Sequence, residues 1–208
     1  MADSIETLGS YQIFPFVLDW SSGLKMSVTS AFTKTEFDGT VPRITEYTTR
    51  KPVTLVETIH LFDKEEESNF LQFFDDHKGR TKKFWVYART NDFNLIEDIN
   101  IGETQFDFTY NGYSDIHVSY DRVYIITKSG DIYTRRVDDA VADLVNDEMT
   151  LYLDPSIDVA IPLSDVIEFG RVLLVRFDLD TVQLKYHQTG VATVNLRFLE
   201  IPTEYPAT

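Results

Sequence analysis

The sequence predicts a mainly β protein: an antiparallel β-sandwich or split barrel with one packed α-helix, plus a second β-rich domain. Composition is the first reason. Of the 208 residues 13% are aromatic, and Val, Ile and Thr are abundant, which suits pleated, half-buried surfaces better than helices. Alternation is the second: apolar and polar residues follow each other at period two over much of the chain, as in strands with one buried face. The third is a single change of period, in DKEEESNFLQFFDDHKGRTKKFWVYAR at 63–89.

From the N-terminus, YQIFPFVL at 11–18 reads as a strand interrupted by Pro15, which cannot donate to a ladder and so suits an edge or bulge. LKMSVTSAF at 24–32 follows the turn signal Ser21-Ser22-Gly23. Asp38-Gly39 is a hairpin turn between two strands, and a longer strand runs from Val53 to Phe62. Then comes the helix, expected over 64–78: Phe70, Phe73, Phe74 and His77 fall at i, i+3, i+4 and i+7. Asp63 can cap its first turn and Glu66 can complete a capping box. Gly79 supplies the left-handed residue that stops it. KKFWVYAR at 82–89 returns as a strand with Trp85 facing inward, and Phe70, Phe73, Phe74 and Trp85 are the expected core of this region.

Beyond Asn91 the texture is β throughout. FDFTY (106–110), HVSYDRVYIIT (117–127) and DIYTRRV (131–137) are joined by the hairpin signals Asn111-Gly112 and Ser129-Gly130. DDAVADLVNDE at 138–148 is balanced between a short helix and none. Residues 172–186 and 191–201 make a last long hairpin around HQTG, and PTEYPAT is loop. No repeat or low-complexity linker marks a boundary. Charge density changes near residues 90–100, which divides the chain into a domain over 1–97 and a second over 98–208, with the hairpin 172–201 free to return to the first sheet.

The same residues exclude much chemistry. Formal net charge is −15; residues 1–97 hold 11 Lys/Arg against 15 Asp/Glu, and residues 98–208 hold 8 against 19. So acidic a surface repels phosphates and argues against sequence-specific nucleic-acid binding. With no cysteine there are no disulfides, thiolate zinc sites or cysteine nucleophiles. Neither a signal peptide nor an apolar run of membrane-spanning length is present, so the protein is expected in solution in a cytoplasm, without membrane insertion. His60, His77, His117 and His187 are scattered, and His77 lies on the apolar helix face, where packing suits it better than metal binding. Asp178 and Asp180 alternate on the last hairpin, as a carboxylate pair would, although a solvated face is the plainer reading. Asp75-Asp76 and Asp138-Asp139 are adjacent acidic pairs at helix or turn positions, which are routine in a chain this acidic. NDFN at 91–94 has the Asx content of a calcium loop without its Gly and closing Glu, so it reads as an Asx-rich turn. No phosphate-loop, dinucleotide or nucleophile-elbow motif occurs. The expectation is a protein that is not an enzyme and needs no metal or organic cofactor. Lys78, Arg80, Lys82 and Lys83 form the single basic concentration, and acidic surface nearby or on a neighbouring subunit is their natural partner.

Several of these strings occur together in a known family. The chain reads P-x-x-x-D-W-S (Pro15, Asp19, Trp20, Ser21), then D-G-T-V-x-R (Asp38, Gly39, Arg43), then a strand led by Pro52. FLQFFDDHKGRTKKFWVY and VLLVRFDLDTVQLKYHQTGVATVNLRFLEI follow in order. This resembles the distal-tail type of tail-tip (baseplate) proteins of long-tailed bacteriophages and gene transfer agents, over residues 10–95 and 170–201. The resemblance implies a virion structural protein, made in the host cytoplasm, that assembles as a homo-oligomeric ring of six. The ring would connect the tail tube protein to the baseplate hub protein, the 1–97 domain would form it, and Lys78, Arg80, Lys82 and Lys83 would serve subunit contacts. Two further readings stay open. A carbohydrate-binding β-module would use Trp20, Trp85 and some of the eleven tyrosines as sugar platforms. A cell-wall hydrolase would need carboxylates such as Asp178 and Asp180.

Overall fold

A computed structural model describes residues 7–8, 10–19, 25–28, 32–35, 43–46, 53–110, 122–143, 145–188 and 191–201. The turns Ser21-Ser22-Gly23, Asp38-Gly39 and Asn111-Gly112, the residues Trp20, Pro52 and His117, and the tail after Ile201 lie outside these residues. What is described is mainly antiparallel strand with one α-helix, as the sequence predicts.

Along the chain, β1 (Thr7–Leu8) pairs with β2 (Tyr11–Gln12), and β3 (Lys25–Val28) with β6 (Val53–Leu61). Pro15 ends the first run early, leaving only isolated bridges at Ile13 and Leu18. β4 (Phe32–Thr35) and β5 (Arg43–Glu46) pair antiparallel across the Asp38-Gly39 position. Helix α1 (Lys64–Asp76) and β7 (Phe84–Tyr87) follow. Next come β8 (Gln105–Thr109), β9 (Arg122–Thr127), β10 (Ile132–Asp143), β11 (Glu148–Asp154) and β12 (Val166–Phe177). The chain closes with β13 (Leu184–Gln188) and β14 (Val191–Glu200).

These elements make two compact units: Met1–Trp85 with Leu174–Glu204, and Val86–Leu173. The boundary expected at 97 is therefore displaced, because charge density reports surface whereas a unit is defined by pairing. Residues 86–97 belong to the second unit: Ala88 donates to the Arg171 carbonyl (2.9 Å), Phe93 to Phe169 (3.1 Å) and Ile96 to Asp107 (3.0 Å). In turn, the last strand returns to the first unit, where β14 runs antiparallel along β6 from Leu61↔Ala192 to Thr54↔Leu199.

In the first unit, β6 alternates as its sequence does. Val53, Leu55, Ile59 and Leu61 point inward, and Val56 and His60 outward. Glu200 accepts the Val53 N–H (3.0 Å) and ties β6 to the end of β14. α1 starts as its capping residues dictate: Asp63 Oδ1 accepts the Glu66 N–H (2.8 Å), and Glu66 reaches back to the Phe62 N–H (2.7 Å). It ends two residues before the expected 78, since the left-handed backbone begins at Lys78 (φ 50°) and continues through Gly79 (φ 55°). Its inward face carries Phe70 and Phe73, both buried. Phe73 meets Phe14 (5.5 Å), Phe84 (5.3 Å) and Phe177 (6.3 Å) edge-on. Trp85 is fully buried and donates to the Leu8 carbonyl (2.9 Å). Phe74 departs from its expected core position: it is half-buried, with one face on Phe177 (4.8 Å), because it lies at the margin of the apolar stripe.

The second unit orders its strands β12-β9-β10-β11-β8. Phe93, Phe108 and Phe169 pack at 4.9–5.4 Å at the heart of its core. Residues 138–148 are not helical. β10 continues to Asp143, pairs with β11 down to Asp143↔Glu148, and carries a bulge between Val137 and Asp139. Asp143 Oδ1 then accepts the Val145 and Asn146 N–H groups (2.9 and 3.2 Å), which makes a hairpin turn of the Asx kind.

One core position carries a charge-capable group. Glu57 shares the inward face of β6 with Leu55 and Ile59, is 2% exposed, and has no hydrogen bond to either carboxyl oxygen. Burial, reinforced by the Asp19 carboxylate, raises its pKa from 4.5 to about 7. The folded chain therefore holds this proton more tightly than the unfolded chain. The resulting stability is present below pH 4.5 and lost as pH rises through 7. Urea melts at pH 5 and pH 8 should show the loss, at most roughly 3 kcal/mol from this group. Glu57→Gln should flatten it; an unchanged slope in that variant would refute the assignment. Phe73→Ala should cost ~3–5 kcal/mol and Phe74→Ala about half that or less. Equal losses in denaturant melts would contradict the burial difference between them.

Candidate functional site

The chain leaves α1 through a short basic turn, and its backbone fixes where each cation goes. His77 donates to Phe73 (3.1 Å), Lys78 to Asp75 (2.9 Å), Thr81 to Lys78 (3.3 Å) and Lys82 to His77 (3.0 Å). Gly79 is required twice over. Its φ is left-handed, and a Cβ there would lie 2.9 Å from the Leu179 carbonyl oxygen. That close approach brings the 178–180 segment against the turn. Arg80 donates to the Asp178 carbonyl (3.0 Å) and pairs with the carboxylates of Asp178 (3.9 Å) and Asp180 (3.6 Å). Arg197 pairs with Asp178 at 2.9 Å.

One sequence expectation changes here. Asp178 and Asp180 do not share a strand face, because β12 ends at Phe177 and the chain bends away. Asp178 is paired with both Arg80 and Arg197, and Asp180 with Arg80. Arg80 is thus partnered within its own chain, whereas Lys78 and Lys82 are exposed to solvent.

Beside the turn lies a cleft of ≈600 Å³, lined by Ser10, Tyr11, Gln12, Asp76, His77, Thr81, Lys82 and Lys83. Three hydroxyls, one amide and two ammonium groups face one carboxylate, a set of donors suited to an anionic group. The Lys83 ammonium lies over the Tyr11 ring at 5.8 Å. His77, 4% exposed, stacks on Phe73 (4.1 Å) and donates through Nδ1 to the Phe73 carbonyl (2.8 Å). Burial lowers its pKa and the Lys82 charge lowers it further, against the Phe73 carbonyl and Asp76, which raise it. It is a neutral wall of the cleft at neutral pH. Of the two other described histidines, His60 pairs with Asp19 (2.9 Å) and accepts from Thr193 (3.3 Å). Among the described residues no group of three or more metal-ligating side chains gathers.

A second polar cluster lies in the second unit, and of its members only the NDFN segment stands out in the sequence. Arg89 pairs with Glu168 (3.1 Å), Tyr124 donates to Glu168, and Arg171 pairs with Asp92 (3.3 Å). Burial keeps the Tyr124 phenol protonated. Asn91 accepts the Phe169 N–H (3.1 Å), and Thr90 donates to Asp92 (2.6 Å). NDFN is thus part of an Asx-rich turn tied to β12. The backbone is left-handed at Arg89 and Asn91. Every polar group here has a structural task, so the cleft is the better candidate for function.

Compared with known proteins, the chain matches no family model and no curated protein sequence.

Gly79→Ala should destabilise the first unit by about 1–3 kcal/mol through backbone strain and the Leu179 contact. Arg80→Ala should cost under ~1 kcal/mol, as exposed ion pairs usually do. Denaturant melts of both variants check this ordering, and a reversed order would show that the turn is held by charge instead of by backbone fit.

Proposed function

We propose that the chain is a structural protein of a virion, the ring-forming distal connector of a long-tailed phage or gene transfer agent tail tip, seated between tail tube and baseplate hub. The observation that carries this reading is a cationic turn and cleft in a protein of net charge −15. A ring of identical subunits needs two different patches that fit each other, and opposite charge on a rim sets their orientation and register. The aromatic helix F-x-x-F-F, its basic turn and the first two residues of the following aromatic strand, Phe84 and Trp85, belong to one unit, which suits the arrangement that the resemblance implies. The acidic balance suits a connector through which DNA passes without sticking.

The carbohydrate-binding reading loses one of its two tryptophans, since Trp85 is fully buried and hydrogen-bonded. A hydrolase would need Asp178 and Asp180 as an acid and base pair on one strand face, and the strand ends before them at Phe177.

Antibody against the chain should label one end of the tail in particles from producing cells, seen by immunogold electron microscopy. Label elsewhere, or on no particle, would sink the proposal. Light scattering of the purified protein should show a closed oligomer that weakens as salt is raised. Lys78→Glu with Lys82→Glu should weaken it further and leave the melting curve unchanged. Arg80 is a poorer choice for this test, because its reversal would place a third carboxylate beside Asp178 and Asp180.

A further inference from the structure

The cationic cleft requires an acidic counterpart, and the second unit presents one. From Val137 to Gly170 the sequence contains nine Asp or Glu and no Lys or Arg. Five of the nine, Asp138, Asp139, Asp143, Asp147 and Glu148, are exposed on the hairpin joining β10 to β11. The same hairpin exposes two aliphatic side chains, Val141 at 50% and Val145 at 92%. Such a combination is poorly explained by solubility alone, which acids would serve without a valine at the tip. The tip is also pre-ordered. The Asp143 carboxylate accepts the Val145 and Asn146 N–H groups and the Asn146 side-chain amide (2.8 Å), and Asp147 holds a left-handed φ of 58°. Those bonds lower the pKa of Asp143, so the tip keeps its charge.

We propose that the β10–β11 hairpin tip of one copy docks into the cationic cleft of a second copy, a claim that rests on the ring-forming reading above. Asp147 and Glu148 would meet Lys82 and Lys83, and Val145 would lie against Tyr11 and the wall formed by His77. The contact is heterologous, since cleft and tip are different patches, so each copy offers one of each and the chain of contacts can close into a ring. Pre-ordering on both sides limits the conformational entropy lost on docking.

Charge reversal gives the test. The cleft variant Lys82→Glu/Lys83→Glu and the tip variant Asp147→Lys/Glu148→Lys should each keep the parent far-UV dichroism, yet associate about tenfold more weakly or worse. Mixed in equal amounts they should assemble again, because each variant's tip then meets a cleft of opposite charge. A second readout uses the absence of cysteine in the chain. Chains with Val145→Cys alone and Thr81→Cys alone, mixed and oxidised, should give a heterodimer in excess of either homodimer. If wild-type rings form but both charge variants still assemble and no heterodimer crosslink appears, the docking is wrong and the ring reading stands. If the wild-type protein stays monomeric and tail-tip label is absent, the ring reading fails and this inference with it.

Discussion

The packing of Phe73 is the contact on which the first unit depends. Its ring touches Phe14, Phe16, Phe84 and Phe177, which come from residues before the first long strand, after the helix and near the end of the chain. Edge-to-face contacts of this kind add about 0.5–1.5 kcal/mol per pair beyond the area they bury. They also fix the roll of α1. With Phe70 and Phe73 inward, Glu67 must face Tyr186, which donates to it at 2.7 Å while Lys64 sits over the same ring. The C-terminal end of the helix then meets Asp178 and Asp180 through Arg80. The helix is held at both ends to one segment, 178–186, and the basic turn inherits its position from that clamp.

What was legible in the sequence is what is encoded locally. The helix, its cap and its stop follow from Asp63, Glu66, three phenylalanines and Gly79 within seventeen residues. Alternation located β6 and β14, and the strands expected on either side of Asp38-Gly39 are present at 32–35 and 43–46, where they pair. The unit boundary was not legible, because membership is decided by β6 and β14, and Val53 and Glu200 meet across 147 positions of sequence. The 138–148 segment was ambiguous because Val141 and Val145 satisfy a helical spacing while their neighbours satisfy pairing with β11. Phe74 was assigned to the core because spacing gives the direction of a side chain and not the depth of the neighbour covering it.

The candidate site was half legible for the same reason. Charge counting found its lysines, but the opposite wall of the cleft comes from Ser10, Tyr11 and Gln12, and nothing about those residues marks them as a binding surface. Sequence also could not assign Arg80 to its own chain, since Asp178 and Asp180 read as continuing a strand that ends at Phe177. The structure separates the four cations by task. Arg80 anchors the turn, Lys83 rests on an aromatic ring, and Lys78 and Lys82 project into solvent.

The interruption of the first unit by the second imposes an order on biosynthesis. Residues 86–173 are contiguous and can fold as soon as they emerge, whereas β6 waits for β14, which is made only after that insert. During that wait Leu55, Ile59 and Leu61 have no partner strand on that side, and β6 is an open template for mispairing. A folded insert shortens the wait. The Ala88 to Arg171 hydrogen bond pins the insert's two ends beside each other, so the loop that must close to bring β14 onto β6 behaves as a short one.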